Sequence, residues 1–522
     1  MEKPSFNLWT EPWVTVERDD GSTDTLSLQD ALLQAHRLRA LYDPSPLVVV
    51  GVHRLLTAIL QDTFSPQYEE DLADIWHTGQ FTEETILQFG EQYAHRFDLF
   101  SETEPFMQSA DLPLQSRKQD KSKLKSVAYL FQEIPAATAV AHYRHGNEND
   151  YILSPASAAK GLVMIPAFAT SGGAGIRPSI NGVPPIYILP GGNTLFEHLT
   201  TSLITPHYQP RVRDKQNDLV WWRREPIVEH KKEWGSIGYL HSLTFPARRV
   251  RLHPERGPVH CSRSGENSPW GVRTMTFQMG ESRPKDAAFW FDPFAAYRLP
   301  DDKAKKKQPP TPIRPVAGRV LWREYAGLFL QNQKSNTRQP DVLRQIAYLS
   351  AEHDIASDGV DYPFRCVGIR TDMKAKIFEW VDIGFDVSPK IIRDPQAGWM
   401  VQEAIDFAVK GEKIIKQVFR SVFGGPSAKN ERYKRSKAQM ATDYWRTLSP
   451  YFYQYIVGMG EVAQREDHQI QWVDIVVNAG LEVFRQVAAN LGDSAAALHL
   501  RVEGEAFCRA RLYKARNKQK GE

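Results

Sequence analysis

A chain of 522 residues is too long for one compact core, so two or more domains are expected. Its 42% hydrophobic and 24% charged content is ordinary for a globular protein and argues against bulk disorder. A net charge of only +3 argues against a uniformly basic DNA-coating protein and leaves local basic patches as the place for any nucleic-acid contact.

Residues 6–16, with Trp9, Trp13, Val14 and Val16, read as an opening strand. Asp19-Asp20-Gly21 is a turn, and Ser27 is placed to cap a helix through about Arg39 with Leu28, Ala31, Leu32 and Ala35 as its apolar stripe. A more buried helix is expected over 46–62, and two further helical stretches between Glu69 and Ala94. The longest apolar run, Pro46 to Val52, is too short to span a bilayer. Met1-Glu2-Lys3-Pro4 carries no apolar signal core, so a soluble, cytoplasmic protein is expected.

Regularity fades from 111 to 150, where Arg117, Lys118, Lys121, Lys123 and Lys125 precede His142-Tyr143-Arg144-His145; this reads as a long, mobile, basic loop. Ser154 caps a short helix to about Val163. A glycine-rich turn, Pro166 to Arg177, leads into the apolar strand Val183 to Leu189, and Thr194 begins another helix. Residues 235–300 read as short strands and turns, Asp302 to Pro315 as a Lys/Pro linker, and Val360 to Val387 as a hairpin. Beyond 390, four amphipathic segments at about 395–423, 432–459, 467–490 and 494–518 read as a helical bundle. The domain boundary is drawn at 388: a mixed domain over 1–388 and the bundle over 389–522.

No GxxxxGK[ST], HExxH or GxSxG motif is present, and Ser171 to Gly175 lacks the spacing of a dinucleotide fingerprint. Cys261, Cys366 and Cys508 are far apart with no CxxC pair, which fits a reducing compartment and provides no cysteine zinc cluster. His142 and His145 are an isolated HxxH in a polar stretch. No metal, cofactor or catalytic residue is expected. The Gly-Gly-Ala-Gly tract can be a tight turn, or it can bring backbone N–H groups against a phosphate or groove edge. Lys434 and Arg435 lie in one basic cluster at a helix start, Arg509 and Arg511 in another near the chain end; together they can line a groove for a nucleic-acid strand. Trp221-Trp222, Tyr451-Phe452-Tyr453 and Trp472 can stack bases, though such positions usually belong to a core.

Phe6-Asn7-Leu8-Trp9-Thr10-Glu11-Pro12-Trp13-Val14 resembles the opening signature of the CasA-type large subunits of type I-E CRISPR Cascade. Leu26 to Leu32, Ala35 to Leu38, His53 to Leu60, Glu104-Pro105-Phe106-Met107-Gln108, Gly191 to Glu197 and Arg511-Leu512-Tyr513-Lys514 are also similar to that family. The resemblance implies an α+β protein: a large mixed α/β N-terminal domain followed by a C-terminal four-helix bundle. It implies no enzymatic activity. The implied role is to recognise the protospacer-adjacent motif in double-stranded DNA, help start strand separation and license recruitment of a helicase-nuclease, while guide pairing reads the remaining sequence.

Carried over residue by residue, the family's glycine loop falls on Ser171, Gly172, Gly173 and Ala174, and its basic finger on Arg283 or Lys285. The wedge falls on Asp372, Met373 and Lys374, with Met373 where the family can carry a glutamine. The guide-RNA contact falls on Phe131 with Lys121, Lys123 and Lys125. Some members of the family hold a cysteine-ligated zinc, whose ligands are missing from this sequence. The implied partners are the backbone, small and 5′-handle-binding Cascade subunits, guide RNA, target duplex DNA and the helicase-nuclease, with no membrane. The alternatives are the large subunit of a neighbouring type I system, a scaffold without DNA contact, and a metal-dependent nuclease, for which no ligand spacing is found.

Overall fold

The computed structural model describes residues 3–114, 124–134, 150–170, 175–211, 216–284, 289–300, 309–331, 336–355, 361–371, 377–423 and 431–521. The chain divides into two compact units. The first comprises Met1–Pro315, Pro340–Asp358 and Tyr362–Asp386; the second comprises Val316–Gln339, Gly359–Asp361 and Val387–Glu522.

The opening strand is shorter than its alternation implies. The Asn7 side chain accepts the Trp9 N–H at 2.9 Å and Glu11 accepts the Asn7 N–H at 2.9 Å, so residues 7–11 close as a turn. The strand Val14–Arg18 follows, centred between Thr23–Leu26 and Leu38–Leu41 in an antiparallel sheet. Ser27 does cap a helix, accepting the Asp30 N–H at 3.0 Å, but the helix runs only from Leu28 to Leu33. Leu38 and Leu41 are claimed instead by pairing to the first strand, where both are buried.

The centre of the first unit is the helix Pro46–Phe64, buried along almost its whole length. It is 19 residues long and apolar enough to cross a membrane, yet 83% of its apolar window is buried inside the protein. Helices Pro155–Val163, Ile165–Phe168, Leu195–Thr200 and Tyr239–Leu243 pack around it. A Cβ on its Gly51 would lie 2.8 Å from the Val163 carbonyl oxygen, so this crossing needs glycine. Ser154 and Thr194 cap their helices as their positions imply.

The region read as short strands is in fact a long hairpin, Arg248–His260 paired with Asn267–Met279. Prolines and arginines interrupt the first strand and obscure its alternation. The register shifts between His253 and Pro254 and between Arg256 and Val259 absorb them. Leu124–Ser126 adds a third strand, so part of the expected basic loop is ordered sheet. A further sheet sets Tyr187–Pro190 beside Tyr362–Thr371, which pairs in turn with Ile377–Val387, the hairpin expected over 360–387.

In the second unit the four long helices are Pro395–Ser421, Glu431–Gly458, Arg465–Ala489 and Ala495–Lys520. Asp394 caps the first, accepting the N–H groups of Gln396 and Ala397, and also pairs with Arg465 at 2.6 Å. The earlier segment Val316–Gln339 belongs to this unit through Trp322. Its ring stacks on Phe452 at 4.3 Å and lies 5.1 Å from Trp445, and its indole N–H donates to Ser449. Of the aromatic residues weighed for base stacking, Trp221, Trp222, Phe452 and Trp472 are core, while Tyr451 and Tyr453 are exposed.

Candidate nucleic-acid interface

The residues on either side of the glycine tract are tied together. The Ser179 N–H donates to the Ala169 carbonyl at 2.8 Å, and the Ser179 hydroxyl to that of Pro166 at 2.7 Å. Ser171 to Ala174 lie outside the described residues. On either side of them, Arg248 binds both stems: its guanidinium donates to the carbonyls of Thr170 and Arg177, the latter at 2.8 Å, and to that of Ala247 at 2.7 Å. Arg248 is 4% exposed, and burial pulls its pKa down to about 10, with no carboxylate opposing the effect.

Past the tract, Gly175 and Arg177 line a cavity of about 150 Å³ with Lys231, Met279 and Ser282. The structure thus brings the downstream stem of the glycine tract beside the start of the segment expected to carry the basic finger. That segment is anchored by Glu281, whose side chain is wholly buried. Glu281 accepts from Arg224 at 2.8 and 3.0 Å and from the Trp234 indole at 2.6 Å, with His241 3.6 Å away. Burial opposes its ionised form, but His241 and Arg224 outweigh burial and hold its pKa below the usual range. Arg283 turns inward: it donates to the Ile180 carbonyl at 3.3 Å and lies over the Phe289 ring, and burial lowers its pKa. Lys285 lies outside the described residues, as do Asp372, Met373 and Lys374. The strands carrying that last tripeptide are joined by Arg365–Asp382 and Arg370–Glu379, at 2.8 and 2.9 Å.

Phe131 is 1% exposed, with the Arg263 guanidinium 4.8 Å from its ring centre. Arg263 and Lys160 both pair with the buried Asp43. Leu124–Leu130 folds back onto the long hairpin as a strand and a turn, carrying Phe131 into the core. Lys125 lies 5.1 Å from the Tyr129 ring centre; Lys121 and Lys123 lie outside the described residues.

In the bundle, Lys434, Arg435, Arg509 and Arg511 are all exposed. Trp472 donates to the Ala404 carbonyl, Gly411 lies beside Val476 and Gly480 beside Ile415, so the third helix runs parallel to the first; Tyr455 bonds Gln469 and the Phe452 ring packs on Trp472, so it runs antiparallel to the second. The second and fourth helices each pack against the first and third. Tyr444 donates to the Ala408 carbonyl at 2.8 Å, and Lys434 lies ten residues, about 15 Å, nearer the C-terminal end of the first helix. Arg511 reaches Gln417 on that same helix at 3.3 Å. The two clusters therefore stand at one level, on the two helices flanking the first. Between them the first helix exposes Lys410, Lys413 and Arg420, which composition did not single out although their three- and seven-residue spacing marks one helical face. Arg509 is shared with Glu505, which also holds Arg485. Among the described residues, no group of three or more His, Cys, Asp or Glu could hold a metal ion; His142 and His145 lie outside them.

Residues 7–483 match the family described as CRISPR-associated protein Cse1. The CRISPR-associated protein CasA/Cse1 of Thermus thermophilus is 26% identical over 96% of both chains. The crystal structure of Cse1 from Acidimicrobium ferrooxidans superposes with a TM-score of 0.81 at 21% identity, covering 99% of each chain. A chain of a structure described as a CRISPR RNA-guided surveillance complex gives 0.71 at 18% identity, over 98% of this chain and 100% of that one.

Proposed function

Because this chain belongs to the Cse1 family, and is thus a large subunit of type I-E Cascade and not an enzyme, we propose that it reads the motif flanking a duplex DNA target and starts strand separation there. The observation that carries this reading is the cavity where Gly175 and Arg177, just past the glycine tract, meet Ser282 at the start of the finger segment. Backbone from Gly172 and Gly173 approaches the groove edge, where any side chain would collide. Lys285 is the finger, because Arg283 is engaged with the Ile180 carbonyl. Met373, with Asp372 and Lys374, works after docking as an apolar wedge that holds a base step open.

The bundle's basic face follows a DNA strand, and Lys121, Lys123 and Lys125 neutralise phosphates of the guide. The partners are the other Cascade subunits, guide RNA, target duplex and a helicase-nuclease recruited once the target is open. The protein works in the cytoplasm.

The test assembles Gly173→Asp and Met373→Ala into Cascade and measures binding to fully paired targets and to targets already mismatched beside the motif. Gly173→Asp loses discrimination between correct and incorrect motifs. Met373→Ala opens paired targets slowly and is rescued by the mismatch, which removes much of the unstacking cost of a few kcal/mol. A Met373→Ala defect equal on both targets, or wild-type behaviour of Gly173→Asp, refutes these assignments.

A further inference from the structure

We propose that Lys231 binds a backbone phosphodiester of the target duplex, beside the groove contact made by the glycine tract; the inference rests on the motif-reading function above. Sequence alone gave Lys231 no prominence, since it sits in an ordinary charged stretch, Glu229 to Glu233. In the structure it lines the same cavity as Gly175, Arg177 and Ser282. Its ammonium lies 4.0 Å from where a Cβ on Gly175 would stand, over the downstream stem of the tract.

The charges around the cavity leave a positive surplus at this point. Arg177 is paired with Glu233, Lys232 with Glu229, and Arg224 with Glu281. Among the described residues no carboxylate lies within ion-pair distance of Lys231, and the Arg248 guanidinium is held by the carbonyl oxygens of Thr170, Arg177 and Ala247 and by the Met279 sulfur at 4.0 Å, with no described carboxylate on it. An exposed, uncompensated ammonium at the mouth of a polar cavity, backed by a buried uncompensated guanidinium, suits an anion.

The backbone supplies an independent reason. Lys231 has φ +58°, a left-handed conformation that a lysine adopts at a cost and a glycine or asparagine adopts readily. Its N–H is fixed on the Gly280 carbonyl at 3.0 Å, which holds the residue in place at the end of the long hairpin. Strain of this kind gathers where a side chain must point in a required direction, and here the direction is across Gly175.

Fold and function can be separated at such a position. Lys231→Gly and Lys231→Asn relieve the strain, so either variant should melt at the same temperature as the parent or above it. Lys231→Arg keeps the charge. Each is assembled into Cascade with a guide, and affinity for a motif-bearing duplex is measured from low to moderate salt. The expected result is that Lys231→Gly and Lys231→Asn bind more weakly at low salt, and that the slope of log affinity against log salt flattens by about 0.9, the value for one phosphate. Lys231→Arg restores the slope, and the ratio between correct and incorrect motifs stays as in the parent. An unchanged slope in Lys231→Gly overturns the assignment; if Gly173→Asp in the same preparation loses discrimination, the motif reading survives that failure. A Gly173→Asp variant that still discriminates overturns both.

Discussion

The Arg54 guanidinium lies 3.1 Å from the Asp292 carboxylate, and the two side chains are 3% and 0% exposed. The pair fastens the central helix to the segment before Tyr297, and Asn181 completes the shell at 3.1 Å. Removing one partner strands a buried charge. Asp292→Ala should therefore lower stability by about 3–5 kcal/mol, read as a shifted urea midpoint. Arg365→Ala, which breaks a half-exposed pair, should cost under about 1 kcal/mol. Equal effects from the two variants would contradict the burial described.

Acidity should act through His53. Burial first, then nearby His198 and Arg54, push its pKa down to about 3, so it stays neutral in the fold and titrates near 6.5 once unfolded. The unfolded chain therefore binds the extra proton between about pH 6.5 and 3, and stability falls as pH drops through that window, by at most about 1.4 kcal/mol per pH unit from this group. His53→Gln should flatten the slope of unfolding free energy against pH by that amount; an unaltered slope would show that His53 does not contribute.

Arg248 is the mechanical support of the glycine tract. Arg248→Met fills similar space but leaves the Thr170 and Arg177 carbonyls without their donor, at about 1–3 kcal/mol for each unmet group. Because both carbonyls belong to the loop stems, discrimination between flanking motifs should weaken in assembled complexes even at temperatures where the variant is fully folded. Full discrimination in a folded Arg248→Met complex would refute the support role.

The basic face of the bundle predicts an electrostatic phenotype. Changing Lys434, Arg435, Arg509 and Arg511 together to Glu should weaken target binding at every salt concentration and reduce the salt slope by about 0.9 for each phosphate that is no longer neutralised. Adding Lys413→Glu and Arg420→Glu should deepen the effect, since both stand between the two clusters. Binding with an unchanged slope would remove the bundle from the DNA path.

Where local chemistry decides the structure, the sequence was legible. Ser27, Ser154 and Thr194 announce helix starts because a side-chain oxygen can satisfy a free N–H, and the 3.6-residue stripe marks the four bundle helices. Where pairing at a distance decides, it was not. Leu38 falls within the helix expected to run to about Arg39 but is taken by a strand, and the Arg248–His260 strand hides behind its prolines. The site shows the same division. The glycines and the bundle clusters stand out by composition. Arg248 looks like any strand arginine until both loop stems converge on it, and no pattern of residue types reveals the left-handed backbone of Lys231.

The packing of Trp322 against Phe452 and Trp472 also sets a schedule for synthesis. Trp322 leaves the ribosome 150 residues ahead of Trp472 (472 minus 322). At 5–20 residues per second this large indole waits roughly 8–30 s for its partners to be made. Through that interval the segment Val316–Gln339 has no finished core to enter, so the nascent chain carries an exposed indole until the helices of the second unit follow it.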